Sequence, residues 1–297
     1  MKDKIAVIGA GKWGQALYES ININHKCFIT SRTKKNIKHF CTLQEALDCQ
    51  YIIIAISTQH ISSWLENNFI NKNQKILVAS KGIEAKTGRF LKEIYEQHID
   101  IKNLGFVSGP SFAYGVKAQL PTALVINSIS KEYYDEFALF FPKFIKTYYS
   151  DDIIGAEIAG AYKNVIAIAG GICDGLKLGD NARAGVISRG LVEMSRFGYK
   201  FGATTDSFVG LSGAGDLFLT ASSNKSRNYK VGLGLSKNIP LPQILEDIGE
   251  VAEGVMTAKA INKISIQKGL YTPIAYEVGL MLDGKPPLES LQDLLKS

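Results

Sequence analysis

Short apolar runs alternate with longer helical stretches through the first half of the chain. Six runs rich in Ile and Val, at 4–8, 26–30, 51–56, 75–79, 104–107 and 122–127, are nearly continuous in apolar residues. Strands buried on both faces have this character, because neither side chain row meets water. Helical stretches lie between them, at 13–23, 60–67 and 87–97. Strand alternating with helix predicts a mostly parallel sheet with right-handed crossovers, the doubly wound architecture.

Beyond about residue 150 the pattern changes. Residues 153–173 are apolar nearly all round, interrupted by Glu157, Lys163 and Asn164. A run of about 20 residues is long enough to span a membrane. This one, however, contains Gly155, Gly160, Gly170 and Gly171, and a lysine at mid-helix is costly in lipid. A helix buried at the centre of a second, helical domain fits better. Helical segments follow at 184–201, 227–236, 242–248, 254–268, 273–283 and 287–295. The expected division is a sheet-based α/β domain over 1–150 and an all-α domain over 151–297.

Composition narrows the class further. Of 297 residues, 46% are hydrophobic and 21% charged, which excludes a disordered chain. There are 28 Gly and 8 Pro without a collagen period. The opening Met1-Lys2-Asp3-Lys4 and its four following apolar residues are too short for the core of a signal peptide. A cytoplasmic protein without integral membrane association is expected. The net charge of +6 is uneven, with 19 Lys and Arg against 12 Asp and Glu in residues 1–150. Such asymmetry can mark a polyanion partner, but these lysines are scattered, and a phosphorylated small molecule is preferred to nucleic acid. His25-x-Cys27 and His39-x-Cys41 repeat a pattern that could ligate zinc. Cys27, Cys41, Cys49 and Cys173 are instead expected to be structural thiols, and no metal is assigned.

Gly9-Ala10-Gly11-Lys12-Trp13-Gly14 is G-x-G-x-x-G placed directly after a strand and opening a helix. The first glycine permits the tight turn, and the second lets backbone N–H groups reach a pyrophosphate. The third lets helix and strand pack closely, so a Rossmann-type dinucleotide site is expected. An NAD site would end strand two with an acidic residue. Here the chain reads Thr30-Ser31-Arg32-Thr33-Lys34-Lys35. Arg32 suits the 2′-phosphate of NADP(H), unless this is simply a solvated basic loop, and NAD(H) stays open as an alternative.

Other candidates carry charge. Lys81, in Ser80-Lys81-Gly82, and the segment Ser108-Gly109-Pro110-Ser111-Phe112-Ala113 each follow a strand, where open α/β sheets bind ligands. Lys163 sits inside the most apolar helix of the chain. A buried lysine is paired or functional, and desolvation lowers its pKa toward the range useful for acid–base work; snorkelling to the surface is the alternative. Ser212-Gly213-Ala214-Gly215-Asp216-Leu217 sets one carboxylate among small residues. Asn224-Lys225-Ser226-Arg227-Asn228 could clamp a phosphate, with Arg227 bidentate.

Together these motifs resemble NAD(P)-dependent glycerol-3-phosphate dehydrogenase of the bacterial type. The likeness extends through Ala161-Tyr162-Lys163-Asn164-Val165, Gly179-Asp180-Asn181-Ala182-Arg183 and Val251-Ala252-Glu253-Gly254 over nearly the whole chain. It implies reversible reduction of dihydroxyacetone phosphate to sn-glycerol 3-phosphate, supplying glycerophospholipid synthesis. By resemblance, Lys163 is the proton donor and acceptor, aided by Lys81 and Asp216. Lys81, Gly109, Ser111, Lys163, Asp216, Ser226, Arg227 and Asn228 face the substrate. Gly9, Gly11, Lys12, Trp13, Gly14, Arg32, Lys81, Ala113, Arg227, Val251 and Glu253 match cofactor positions. The segment between strands two and three, about twenty residues, is shorter than the family's usual insert on the adenosine side. The sequence leaves room for a homodimer. A hydroxy-acid reductase of the same architecture would have no use for Ser226-Arg227-Asn228, and a non-catalytic NADPH sensor would leave Lys163 and Asp216 without a role.

Overall fold

A computed structural model describes residues 4–296. The chain divides into two compact units. One holds the chain up to Ser80 together with Leu91–Ile153; the other holds Lys81–Phe90 and everything from Ile154 onward.

The first unit is built on a seven-stranded sheet of β1 (Ile5–Ile8), β2 (Cys27–Thr30), β3 (Tyr51–Ile54), β4 (Lys75–Val78), β5 (Leu104–Ser108), β6 (Thr122–Asn127) and β7 (Ile145–Ser150), in the order 2-1-3-4-5-6-7. Pairing is parallel from β2 to β5 and antiparallel between β5 and β6. Residues Ile5–Ile8 pair with Cys27–Thr30 on one side and Tyr51–Ile54 on the other. Alternate strand residues point to opposite faces, so Ile5, Val7, Ile29, Ile53 and Leu77 pack under α1 (Lys12–Ile21). Ala6, Ile8, Ile52, Ile54, Ile76 and Val78 pack on the other face, against α2 (Leu43–Leu47), α3 (Ile61–Asn68) and α4 (Leu91–Tyr95). Two helices not anticipated from the sequence, α5 (Ala113–Lys117) and α6 (Lys131–Ala138), join α1 over the first face.

Two expectations need correction. The sheet has a seventh strand, whose polar Ile-Lys-Thr-Tyr-Tyr-Ser run carries no strand signal because β7 is an edge strand of mixed burial. The helix expected over 87–97 contracts to Leu91–Tyr95. Residues before it form a loop instead, with the Glu84 N–H bonded to the Arg89 carbonyl at 3.1 Å and Gly88 in the left-handed region at φ +77°. That conformation is one glycine adopts without a steric penalty and a helix does not.

The second unit is helical: α7 (Ile153–Gly175), α8 (Asp180–Tyr199), α9 (Thr205–Val209), α10 (Asp216–Ala221), α11 (Arg227–Leu235), α12 (Leu241–Ile248), α13 (Glu253–Lys268), α14 (Pro273–Leu282) and α15 (Pro287–Lys296). Helix α7 is long and apolar enough to cross a membrane, but 94% of its most apolar window is buried inside the protein. It is the core around which Phe197, Phe208, Leu217, Val231 and Ile261 gather. Its glycines let neighbours press onto bare backbone. A Cβ at Gly171 would lie 2.1 Å from the Tyr229 carbonyl oxygen, and one at Gly170 would lie 2.7 Å from that of Ala221.

Candidate active site

In the first unit, β1 runs straight into the glycine turn. Gly9 takes φ +112°, and a Cβ there would stand 2.5 Å from the Ala55 carbonyl oxygen. A Cβ at Gly14 would stand 1.8 Å from the Gly9 carbonyl oxygen, so α1 can start this close to the strand only without side chains. Gly11, by contrast, has nothing within 4 Å of its Cβ position. It caps α1 with no side-chain hydrogen bond, and the first turn carries no acidic residue. The first-turn N–H groups of this ten-residue helix and its dipole suit a phosphate. Lys12 is exposed at the helix start, and Trp13 is partly buried with its Nε1 lacking a hydrogen-bond partner. Arg32, just beyond β2, is exposed and makes no hydrogen bond or ion pair with any described residue. Lys35 instead turns back to the Ala10 carbonyl at 2.6 Å. After β5, Gly109 has φ +104°, Ser111 Oγ bonds the Gly109 carbonyl at 3.2 Å, and Ala113 opens α5. The turn therefore fits a dinucleotide.

In the second unit three charged residues far apart in sequence meet. Lys163 Nζ donates to Asp216 Oδ1 at 2.6 Å, and Lys81 Nζ donates to Asp216 Oδ2 at 2.7 Å. Lys163 also reaches Thr220 Oγ1 at 3.1 Å. A π-helical turn over Leu211–Gly215 delivers Asp216 to the first position of α10, where the helix dipole favours its negative charge. Asp216 is 2% exposed and Lys163 7%. Burial pushes the Lys163 ammonium down to about 8, against the pull of Asp216. Burial would raise the Asp216 carboxyl, but the two ammonium groups outweigh it and hold the group below the usual carboxylate range. Two cations around one carboxylate leave a positive centre able to stabilise negative charge that develops beside it. The stem of Lys81 lies along Gly160, 3.6 Å from where its Cβ would be.

Around this centre, Ser226 caps α11 by accepting from the Tyr229 N–H at 3.2 Å. Arg227 is about half exposed and only loosely paired with Glu250, at 3.7 Å. Asn228 is buried and committed: it donates to Asn164 Oδ1 at 2.9 Å and accepts from the Gly254 N–H at 2.9 Å. Glu253 opens α13 with its pKa raised by burial, against the influence of Arg227, Lys163 and Lys81. Val251 is exposed just before it.

Sequence comparison identifies the family. The family model described as the NAD-dependent glycerol-3-phosphate dehydrogenase N-terminus matches residues 18–134, and its C-terminal counterpart matches 152–293. A glycerol-3-phosphate dehydrogenase [NAD(P)+] of Sulfurimonas denitrificans is 58% identical over 294 residues, covering 99% of both chains. The chain belongs to the NAD(P)-dependent glycerol-3-phosphate dehydrogenase family. A Campylobacter jejuni dehydrogenase of the same description is 57% identical over 99% of both chains. A crystal structure of the glycerol-3-phosphate dehydrogenase of Coxiella burnetii superposes with a TM-score of 0.91 at 30% identity, over 100% of this chain and 99% of that one. Two members of the dehydrogenase's buried network had no place among the sequence candidates. Thr220 stands four residues after Asp216, one helical turn on, a spacing that could have flagged it. Asn164 adjoins Lys163 in sequence, but its bond to Asn228 spans 64 residues.

Proposed function

We propose that the protein catalyses the reversible NAD(P)H-dependent reduction of dihydroxyacetone phosphate to sn-glycerol 3-phosphate. The observation that carries this reading is a lysine buried in an apolar helix and held by Asp216, in a chain of this family. A bound reduced nicotinamide supplies the hydride for the ketone carbon, C2. The first unit contributes the phosphate-binding turn at Gly9, Gly11 and Gly14, with Lys12 and Trp13 beside it and Arg32 for a 2′-phosphate, so NADP(H) is preferred and NAD(H) accepted.

The Lys163 ammonium donates a proton to the ketone oxygen, which becomes the C2 hydroxyl. In the reverse direction the neutral amine takes that proton back. Its lowered pKa keeps both forms accessible near neutral pH, as a reversible acid–base catalyst requires. Asp216 orients Lys163 through one oxygen and Lys81 through the other, and Lys81 adds charge beside the developing alkoxide. Arg227 is poised for the phosphate because its contact with Glu250 is loose. Gly109, Ser111, Ser226 and Asn228 complete the substrate set, and Ala113, Val251 and Glu253 the cofactor set.

The proposed setting is the cytoplasm, with the product feeding glycerophospholipid synthesis. A homodimer is part of the proposal and is checked by light scattering. Absorbance at 340 nm with each cofactor and dihydroxyacetone phosphate tests the activity. Turnover with NADPH is expected. Absence of turnover would favour a cofactor-binding sensor, and turnover only with hydroxy acids a related reductase.

A further inference from the structure

The Gly179-Asp180-Asn181-Ala182-Arg183 stretch has no part in the chemistry above, yet Arg183 is engaged. Its Nη1 donates to both carboxylate oxygens of Asp174, at 3.0 and 2.8 Å, and its Nη2 to Asp180 at 2.6 Å. Asp174 lies in the last turn of α7 and Arg183 in the first turn of α8. The same Asp174 accepts a hydrogen bond from the hydroxyl of Tyr229 on α11.

Tyr229 belongs to the first turn of α11, which starts with Arg227 and Asn228. Its backbone lies directly on Gly171, and Gly232 one turn later faces the same glycine, its Cα 3.2 Å from the added Cβ position. Contacts between bare glycine backbones bring two helices close but lack the interlocking side chains that fix one against sliding on the other. The hydroxyl bond to Asp174 adds such a stop to the Asn228–Asn164 bond between the same two helices. Burial and the neighbouring Asp174 push the Tyr229 phenol up to about 12, so it stays a donor across the working range.

We propose that Asp174, clamped by Arg183, is a positioning residue that fixes the first turn of α11 through Tyr229 and so aims Arg227 at the substrate phosphate. The proposal rests on the reading of Arg227 as the phosphate ligand. It also gives the Gly179–Arg183 motif a role: to hold the Asp174 carboxylate in one rotamer, since the Arg183 Nη1 engages both of its oxygens.

The test is Tyr229→Phe, which removes one oxygen and leaves the ring packed, alone and combined with Arg227→Ala. Tyr229→Phe is expected to raise KM for dihydroxyacetone phosphate about three- to tenfold, the range of one hydrogen bond, with kcat and KM for NADPH within about twofold. Turnover of unphosphorylated dihydroxyacetone should not move. In the double variant the tyrosine substitution should add less than about twofold, because it acts through a side chain already gone. Arg183→Gln should reproduce the Tyr229→Phe phenotype, and melting curves establish that each variant is folded. A Tyr229→Phe enzyme with unchanged KM, a multiplicative loss in the double variant, or equal losses on both substrates would each overturn the proposal. If Arg227→Ala alone leaves KM for dihydroxyacetone phosphate unchanged, the phosphate assignment fails instead.

Discussion

Replacing Lys163 with Met isolates the proton from the packing. Met is of similar length and stays apolar, so the α7 core keeps its shape. Two stability terms then oppose each other. Lowering an ammonium from 10.5 to about 8 means that holding it charged in the folded protein costs about 3 kcal/mol at neutral pH. The sign follows from proton counts: between about 8 and 10.5 the unfolded chain binds the proton and the folded one does not. That cost is therefore present below pH 8 and is relieved as pH rises toward 10.5. Met removes it. That figure already counts the charge attraction of Asp216; against it, Met leaves Asp216 and Thr220 without the hydrogen bonds from Nζ, and an unmade buried hydrogen bond costs about 1–3 kcal/mol. Lys81 still bonds Asp216, at 2.7 Å, which limits the loss, and the melting temperature should change little. Catalysis has no such compensation. A positioned acid contributes about 10²–10⁴-fold, so kcat should fall at least about a hundredfold with NADPH affinity nearly unchanged. In the unmutated enzyme, ketone reduction should fall as pH rises through about 8 and glycerol 3-phosphate oxidation should rise over the same range. Steady-state rates at 340 nm against pH read both. A folded Lys163→Met enzyme that keeps most of its kcat, with the same pH limb, would refute the assignment and turn attention to Lys81.

The other sites give separable outcomes. Arg32→Asp should lower kcat/KM for NADPH relative to NADH, since the guanidinium is exposed and uncommitted; equal use of both cofactors before mutation would show that Arg32 does not govern the pocket. Arg227→Ala should raise KM for dihydroxyacetone phosphate about tenfold to a hundredfold, from the 1.5–3 kcal/mol of a charged hydrogen bond. Its melting point should hold, because the Glu250 contact is long and solvent-exposed; a large drop would mean Arg227 is structural. Gly14→Ala should weaken NADPH binding in a fluorescence titration and lower the melting temperature, because its Cβ would fall 1.8 Å from the Gly9 carbonyl oxygen. Wild-type binding by that variant would show that the turn tolerates a wider approach.

Legibility from sequence followed the range of the interaction. Strands β1 to β6 stood out because both faces are buried, so hydrophobicity alone marks them. Strand β7 is an edge, and its Lys146, Thr147 and Tyr148 read like a loop. The G-x-G-x-x-G turn was legible because its requirement is local: Gly9 and Gly14 lie beside each other and beside the strand that follows in space. The catalytic cluster was legible only in part. Lys163 announced itself by incompatibility, a cation in an apolar helix, which says that a partner exists without saying where. The partner, Asp216, is 53 residues away, and the second cation, Lys81, is 135 from Asp216. No periodicity reports such separations. Asn228 shows the converse. Its place beside Arg227 suggested a phosphate ligand, yet its amide already bridges Asn164 and Gly254, tying the helix of Lys163 to those of Arg227 and Glu253. A polar residue can thus serve a site by holding its walls together, and the sequence cannot separate that from direct contact because both demand the same side chain. What separates them is hydrogen-bond capacity. With its Oδ1 and one Nδ2 proton engaged, Asn228 has one donor left for a substrate oxygen.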